Sequence, residues 1–126
     1  MGRTPTPPLG YTILVTDQLP VLREFYVDII GLEVLEERSG YIKFDAGSLF
    51  LAIREANRRY DSTGSGRLVQ LAFSVSRPDV DDWAQRLAES GVEILEKPTD
   101  QPWGHRTLFA ADPDGNLIEF YAEITG

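Results

Sequence analysis

The sequence contains no cysteine and a single histidine, His105. The absence of cysteine excludes disulfide frameworks, thiolate zinc sites, iron–sulfur clusters and cysteine nucleophiles. Because there is one histidine, a metal site with two imidazole ligands cannot form within one chain. The missing thiols also agree with a reducing compartment, so the sequence predicts a cytoplasmic protein.

Long apolar runs and an excess of basic residues are also missing. No stretch approaches the roughly 20 apolar residues of a membrane helix. Residues 1–8 are rich in proline and predict a disordered N-terminal tail. The 12 Lys and Arg residues stand against 20 Asp and Glu residues, which gives a formal charge of −8. This acidity disfavours nucleic-acid binding, so we expect neither a nucleic-acid nor a membrane partner.

The chain of 126 residues repeats its own pattern once. The segment 31–37, GLEVLEE, recurs at 91–97 as GVEILEK, an offset of 91 − 31 = 60. The same offset aligns Val15 with Val75, each followed by a small hydroxylated residue. Agreement at two places with one offset indicates that both halves share a structural plan.

Apolar periodicity predicts the same order of elements in each half, namely a strand, a helix and three strands. We expect an α+β fold of two tandem βαβββ modules within a single domain over residues 9–126. Module 1 covers about 9–54, a polar linker covers 55–67, and module 2 covers about 68–124. The predicted elements are strands at 11–16, 32–38, 40–45, 48–54, 68–75, 92–96, 105–111 and 117–124, with helices at 20–30 and 78–90.

Local motifs give this plan a family resemblance. Residues 25–32 read FYVDIIGL, residues 102–106 read PWGHR, and residues 112–119 read DPDGNLIE. With the repeated module, these segments resemble the vicinal oxygen chelate superfamily over roughly residues 9–124. That superfamily holds glyoxalases, extradiol dioxygenases, fosfomycin-resistance enzymes and bleomycin-resistance proteins. The resemblance implies a curved mixed sheet that forms a half-barrel cup.

The resemblance also implies where a metal would bind. Metal-containing members take one His, Gln or Glu ligand from the first and last strand of each module. Here Glu119 falls at the carboxylate position and Gln70 opens the second module. The repeat offset sends Gln70 to residue 70 − 60 = 10, which is Gly10. The match of Gly47 to Gly115 sends Glu119 to 119 − (115 − 47) = 51, which is Leu51.

Neither Gly10 nor Leu51 has a donor atom, whereas a catalytic metal needs about three protein ligands. We therefore expect no metal and no cofactor, and the prediction leans away from an enzyme. If a metal were bound, its ligands would be Glu119, Gln70 and His105.

Strand alternation predicts which side chains share the face of Glu119. We expect this face, together with a rim from the segment before residue 105, to bind a small molecule. The predicted ligand-binding residues are Glu119, Gln70, Trp103, His105, Tyr121, Leu51, Leu14 and Thr12. Glu119 has a second interpretation as a retained carboxylate that pairs with an arginine or contacts water. Trp103 has a second interpretation as a residue that packs the turn.

The favoured function is that of a metal-free, non-catalytic binding protein similar to the bleomycin-resistance branch. Such a protein is a cytoplasmic homodimer that sequesters a flat or cationic, antibiotic-like ligand. One alternative is a metal-dependent lyase, isomerase or dioxygenase of the same superfamily. Another is an interaction module whose cup is filled by its own side chains.

Overall fold

The computed structural model describes residues 5–6, 8–56 and 69–124. Residues 1–4 and 7 of the predicted tail and residues 57–67 of the predicted linker lie outside the described residues. The chain forms two compact units that divide between residues 62 and 63, and each contains one of the predicted modules.

Module 1 is a four-stranded mixed sheet with one helical segment. The parallel pair β1–β4 is followed by antiparallel pairs, which gives the strand order β1-β4-β3-β2. The helical segment begins as an α-helix and ends as a π-helix. The elements are β1 (Tyr11–Thr16), α1 (Leu19–Glu24), the π-helix (Phe25–Ile30), β2 (Glu33–Arg38), β3 (Tyr41–Asp45) and β4 (Phe50–Glu55).

Module 2 repeats this topology in the order β5-β8-β7-β6, again with its first and last strands parallel. The predicted α+β fold of two βαβββ modules is therefore confirmed. The elements are β5 (Gln70–Ser74), α2 (Arg77–Glu89), β6 (Ile94–Asp100), β7 (His105–Ala111) and β8 (Leu117–Glu123).

In each module one face of the sheet packs against the module's own helix. In module 1 the Tyr26 and Phe44 ring centroids lie 6.3 Å apart, and both side chains are fully buried. In module 2 the Trp83 ring of α2 stacks on Phe120 at 4.6 Å. Burial of these large apolar side chains stabilises each module by roughly 1.5–3 kcal/mol per residue. The opposite side of each sheet is called the helix-free face below.

Within the described ranges, no helix is both long enough and apolar enough to cross a membrane.

Candidate functional site

Glu119 lies on the helix-free face of module 2. Its neighbours along β8, Ile118 and Phe120, are buried on the helix side, so alternation turns Glu119 the other way. In the sheet it pairs with Ala72 of β5 and with Phe109 of β7. The residue is only 9% exposed, so its carboxylate is held in a largely apolar setting.

Gln70 is the partner of this carboxylate. Its Nε2 donates a hydrogen bond of 2.8 Å to Oε1 of Glu119. Register places Gln70 opposite Leu117, two residues before Glu119, so both side chains share one face. Among residues 8–56 and 69–124, no lysine or arginine forms an ion pair with Glu119. The interpretation of Glu119 as an arginine partner is therefore not supported there.

The structure brings His105 and Tyr121 together on this face. Their rings stack with centroids 5.1 Å apart and an interplanar angle of 27°. This flat surface lies beside Glu119 because Tyr121 is two residues further along β8. Trp103 lies on the turn before β7 and is 61% exposed, so it does not pack the turn.

One polar residue of this face, Thr107, was missed from the sequence. Thr107 is fully buried, and its hydroxyl accepts a hydrogen bond of 3.0 Å from Nε2 of Gln101. The same amide donates to Glu96 at 2.7 Å. Alternation from His105 along β7 gives Thr107 and then Phe109, so the signal for this face was present in the sequence.

The prediction for Thr12, Leu14 and Leu51 is wrong. Leu14 pairs with Ile53, and Leu51 pairs with both Thr12 and the helix-packed Phe44. Paired residues point to the same side of a sheet, so all three face α1. Leu14 and Leu51 belong to the core of module 1, and Thr12 is half-buried.

The cause of this error is a one-residue difference between the modules. The carbonyl of Gly10 accepts from Phe50, as the carbonyl of Val69 accepts from Leu117. The strands therefore correspond with an offset of 69 − 10 = 59, whereas the helix ends correspond with an offset of 60. Applying 60 to β1 shifts it by one residue, and so does applying the glycine offset of 115 − 47 = 68 to β4 in place of 119 − 52 = 67. A shift of one residue moves every side chain of a strand to the opposite face.

The same correction changes the ligand positions in module 1. The counterpart of Gln70 is Tyr11 rather than Gly10, since Tyr11 pairs with Phe50 as Gln70 pairs with Leu117. The counterpart of Glu119 is Ala52 rather than Leu51. Ala52 still lacks a donor atom, but Tyr11 carries a phenol oxygen.

The residues of module 2 do not fit a metal by themselves. Glu119 and Gln70 supply two donors, whereas about three protein ligands are needed. His105 pairs with Glu123, four residues along β8 from Glu119. At about 3.3 Å per residue, this separation along the strand is roughly 13 Å, and the His105 ring stacks on Tyr121. In the described parts of the chain, no group of three or more His, Cys, Asp or Glu residues is arranged to hold a metal ion.

Comparison with known proteins places this geometry in a family. The sequence model of the glyoxalase/bleomycin resistance protein/dioxygenase superfamily matches residues 9–120. The chain belongs to this superfamily. The metallothiol transferase FosB of Staphylococcus haemolyticus is 31% identical over 78% of this chain and 70% of that protein. Biphenyl-2,3-diol 1,2-dioxygenase 3 of Rhodococcus globerulus is 28% identical over 92% of this chain and 63% of that enzyme.

Solved structures agree with the superfamily fold. A glyoxalase/bleomycin resistance protein/dioxygenase from Nocardioides matches with a TM-score of 0.84 and 27% identity, over 98% of this chain and 88% of that one. Lactoylglutathione lyase from Agrobacterium tumefaciens matches with a TM-score of 0.76 and 23% identity, over 94% and 96% of the two chains. The second match is a likeness of fold.

Proposed function

We propose that this superfamily member is a non-catalytic binding protein for a flat, cationic small molecule. The observation that carries this proposal is the Glu119 carboxylate, which is nearly buried and is bonded to a neutral amide rather than to a cation. A carboxylate in a setting of low dielectric attracts a cation or a hydrogen-bond donor more strongly than one in water.

The residues around Glu119 support the proposal that the ligand is flat. The stacked His105–Tyr121 pair supplies an aromatic surface, and Phe109 pairs with Glu119 across the sheet. Aromatic faces favour planar and cationic groups. The proposal includes a cytoplasmic location and a homodimer, as the sequence predicts.

The charge of Glu119 is tested by the isosteric variant Glu119→Gln. Binding of 9-aminoacridine, a planar cation at neutral pH, is followed by fluorescence titration and compared with binding of largely neutral acridine. We expect affinity for the cation to fall about 10-fold or more, since a hydrogen bond to a charged group contributes roughly 1.5–3 kcal/mol. Affinity for acridine should change little.

The matched control is Glu93→Gln, which removes the same charge from an exposed loop residue after α2. It should leave the affinity for 9-aminoacridine unchanged. Equal affinity of the wild-type protein and Glu119→Gln would contradict the proposal, as would a wild-type protein that does not bind the cation.

Trp103 is the second ligand contact to test. Trp103→Ala should weaken 9-aminoacridine binding several-fold because an exposed indole stacks on a planar cation, and Trp103→Phe should restore part of the loss. Thermal unfolding provides the control, because an exposed side chain contributes little to stability. An unchanged affinity in Trp103→Ala would remove this residue from the site.

A metal-dependent enzyme is the second candidate function, favoured by the likeness to metallothiol transferase FosB. Elemental analysis separates the two candidates after the protein is incubated with zinc, manganese, nickel or iron and then dialysed. We expect no stoichiometric metal, because Gln70 and Glu119 provide too few donors. Metal that is retained by the wild-type protein and by Glu93→Gln, but lost in Glu119→Gln, would establish the enzymatic alternative.

A further inference from the structure

The helix-free face of module 1 carries a lysine held over two aromatic rings. Lys43 pairs with Ala52 in β4 and therefore points away from α1. Its ammonium lies 4.9 Å from the ring centroid of Phe50 and 5.5 Å from that of Tyr11. These two rings contact each other at 5.3 Å. Both distances from the ammonium lie within the range of cation–π attraction.

The polar contacts of Lys43 hold its ammonium group in position, and the shorter of them is to a neutral phenol. Nζ donates a hydrogen bond of 3.3 Å to the Tyr11 hydroxyl, which raises the pKa of Lys43 above its ordinary value. The nearest carboxylate oxygen, Oε2 of Glu36, is 4.0 Å away. The other oxygen of Glu36 accepts from Arg38 at 2.9 Å. The Glu36 carboxylate is thus shared between Arg38 and Lys43.

The cluster is also partly shielded and yet reachable. The Lys43 side chain is only 20% exposed, which limits screening by water. The Tyr11 and Phe50 rings that flank it remain exposed. An ammonium has three donors, and one of them is used by a neutral phenol. Donor capacity, positive charge and apolar walls therefore meet at one point.

We propose that Lys43, Tyr11 and Phe50 form a binding site for an anionic group attached to an aromatic or apolar body. A carboxylate, a phosphate or a phosphonate fits the ammonium, and the attached body fits the rings. This site selects the opposite charge to the one that the Glu119 carboxylate would attract. The inference does not depend on the function proposed above, because it rests only on contacts within module 1.

The sequence provides an internal reference for the test, since Lys43 and Lys97 are the two lysines of the chain. Lys97 is exposed on β6. In protein labelled with ¹³C at the lysine Cε, an NMR titration with phenylphosphonate should move the Lys43 signal saturably. The Lys97 signal should stay almost still. Parallel, non-saturating movement of both signals would show general ion screening and overturn the proposal, as would a static Lys43 signal.

Variants and a second set of probes separate two contributions to affinity, one from the ammonium charge and one from the aromatic body of the ligand. Lys43→Met should lower phenylphosphonate affinity at least 10-fold, whereas Lys97→Met should not change it. Tyr11→Phe keeps the ring and should cost only a few-fold. Phenylphosphonate should bind more tightly than inorganic phosphate, and benzoate more tightly than acetate. Equal affinity within each pair, or an unaffected Lys43→Met, would contradict the proposal.

Discussion

The adjacent residues His105 and Arg106 of β7 lie on opposite faces of the sheet and make different contacts. His105 points to the helix-free face, while Arg106 turns to the other side and joins α2 to β6. Its guanidinium donates to both oxygens of Asp81, at 2.8 and 3.1 Å, and to Asp100 at 2.8 Å. The hydrogen bond from Arg106 lowers the pKa of Asp81.

This shift predicts a pH dependence of stability. A carboxyl group whose pKa is lowered by folding stabilises the protein above its unfolded pKa, about 3.9, and that contribution is lost as pH falls. The free energy of unfolding, measured with urea at several pH values, should therefore fall below about pH 4 in the wild-type protein. Arg106→Met should lower stability at neutral pH and reduce this acid slope.

The control is Arg77→Met, since Arg77 is exposed and approaches Asp100 only at 3.5 Å. It should retain most of the acid slope. Half of the Asp81 side chain is exposed, so solvent screening keeps the effect modest. Identical slopes in Arg106→Met and the wild-type protein would contradict the assignment.

At the residue scale, the sequence predicted the site in module 2 better than in module 1. Glu119 and Tyr121 share a face because alternation acts within one strand, and Gln70 was placed correctly beside them. Leu14 was placed through the repeat offset of 60, and Leu51 through the match of Gly47 to Gly115. Both steps compare two modules that differ in length by one residue, and one residue is enough to turn every side chain of a strand to the other face.

Among the elements, the end of α2 is fixed by backbone geometry. Gly91 has φ of 75°, and its N–H bonds to the carbonyl of Ala88. The next N–H, from Val92, bonds to the carbonyl of Leu87. This pair of hydrogen bonds is the Schellman arrangement, which requires the left-handed conformation that glycine adopts most easily.

Gly91→Ala should therefore destabilise the protein by about 1–2 kcal/mol, because an L-residue pays this cost in the left-handed region. A Cβ at position 91 would meet no atom within 4 Å, so the loss reports backbone strain alone. Gly10→Ala is the matched control, since its Cβ would also lie in open space and its φ is not in the left-handed range. Urea unfolding gives both values, and equal losses would contradict this account.

The sequence predicted the elements well but missed two details. The apolar spacing placed both helical segments and all eight strands, yet it gave no sign of the π-helix over Phe25–Ile30. The prediction also ended β6 at residue 96, whereas the strand continues to Asp100 through Pro98. Because β6 is an edge strand, a residue without an N–H is tolerated there.

For the whole molecule, the exposed apolar residues of module 1 bear on self-association. Ile13 is 47% exposed on the helix-free face, and Val15 is also exposed there. Large apolar side chains that are exposed together on one face favour contact with a second chain. The predicted homodimer should therefore dissociate when a charge is placed there.

Sedimentation equilibrium of Ile13→Lys should give a monomer mass under conditions in which the wild-type protein gives a dimer mass. Leu95→Lys introduces the same charge at an exposed leucine of β6 and should leave the dimer intact. A wild-type monomer, or a dimer unaffected by Ile13→Lys, would contradict the prediction.

The one-residue difference between the modules bears on how such a repeat diverges. From the first paired strand residue to the helix-ending glycine, module 1 has 31 − 11 = 20 steps and module 2 has 91 − 70 = 21. Three elements share this difference: β5 is one residue shorter than β1, α2 is one residue longer than Leu19–Ile30, and Ser90 stands between α2 and Gly91. A change of one residue between a strand and the glycine that ends the helix thus leaves the pairing of the strands in each sheet intact.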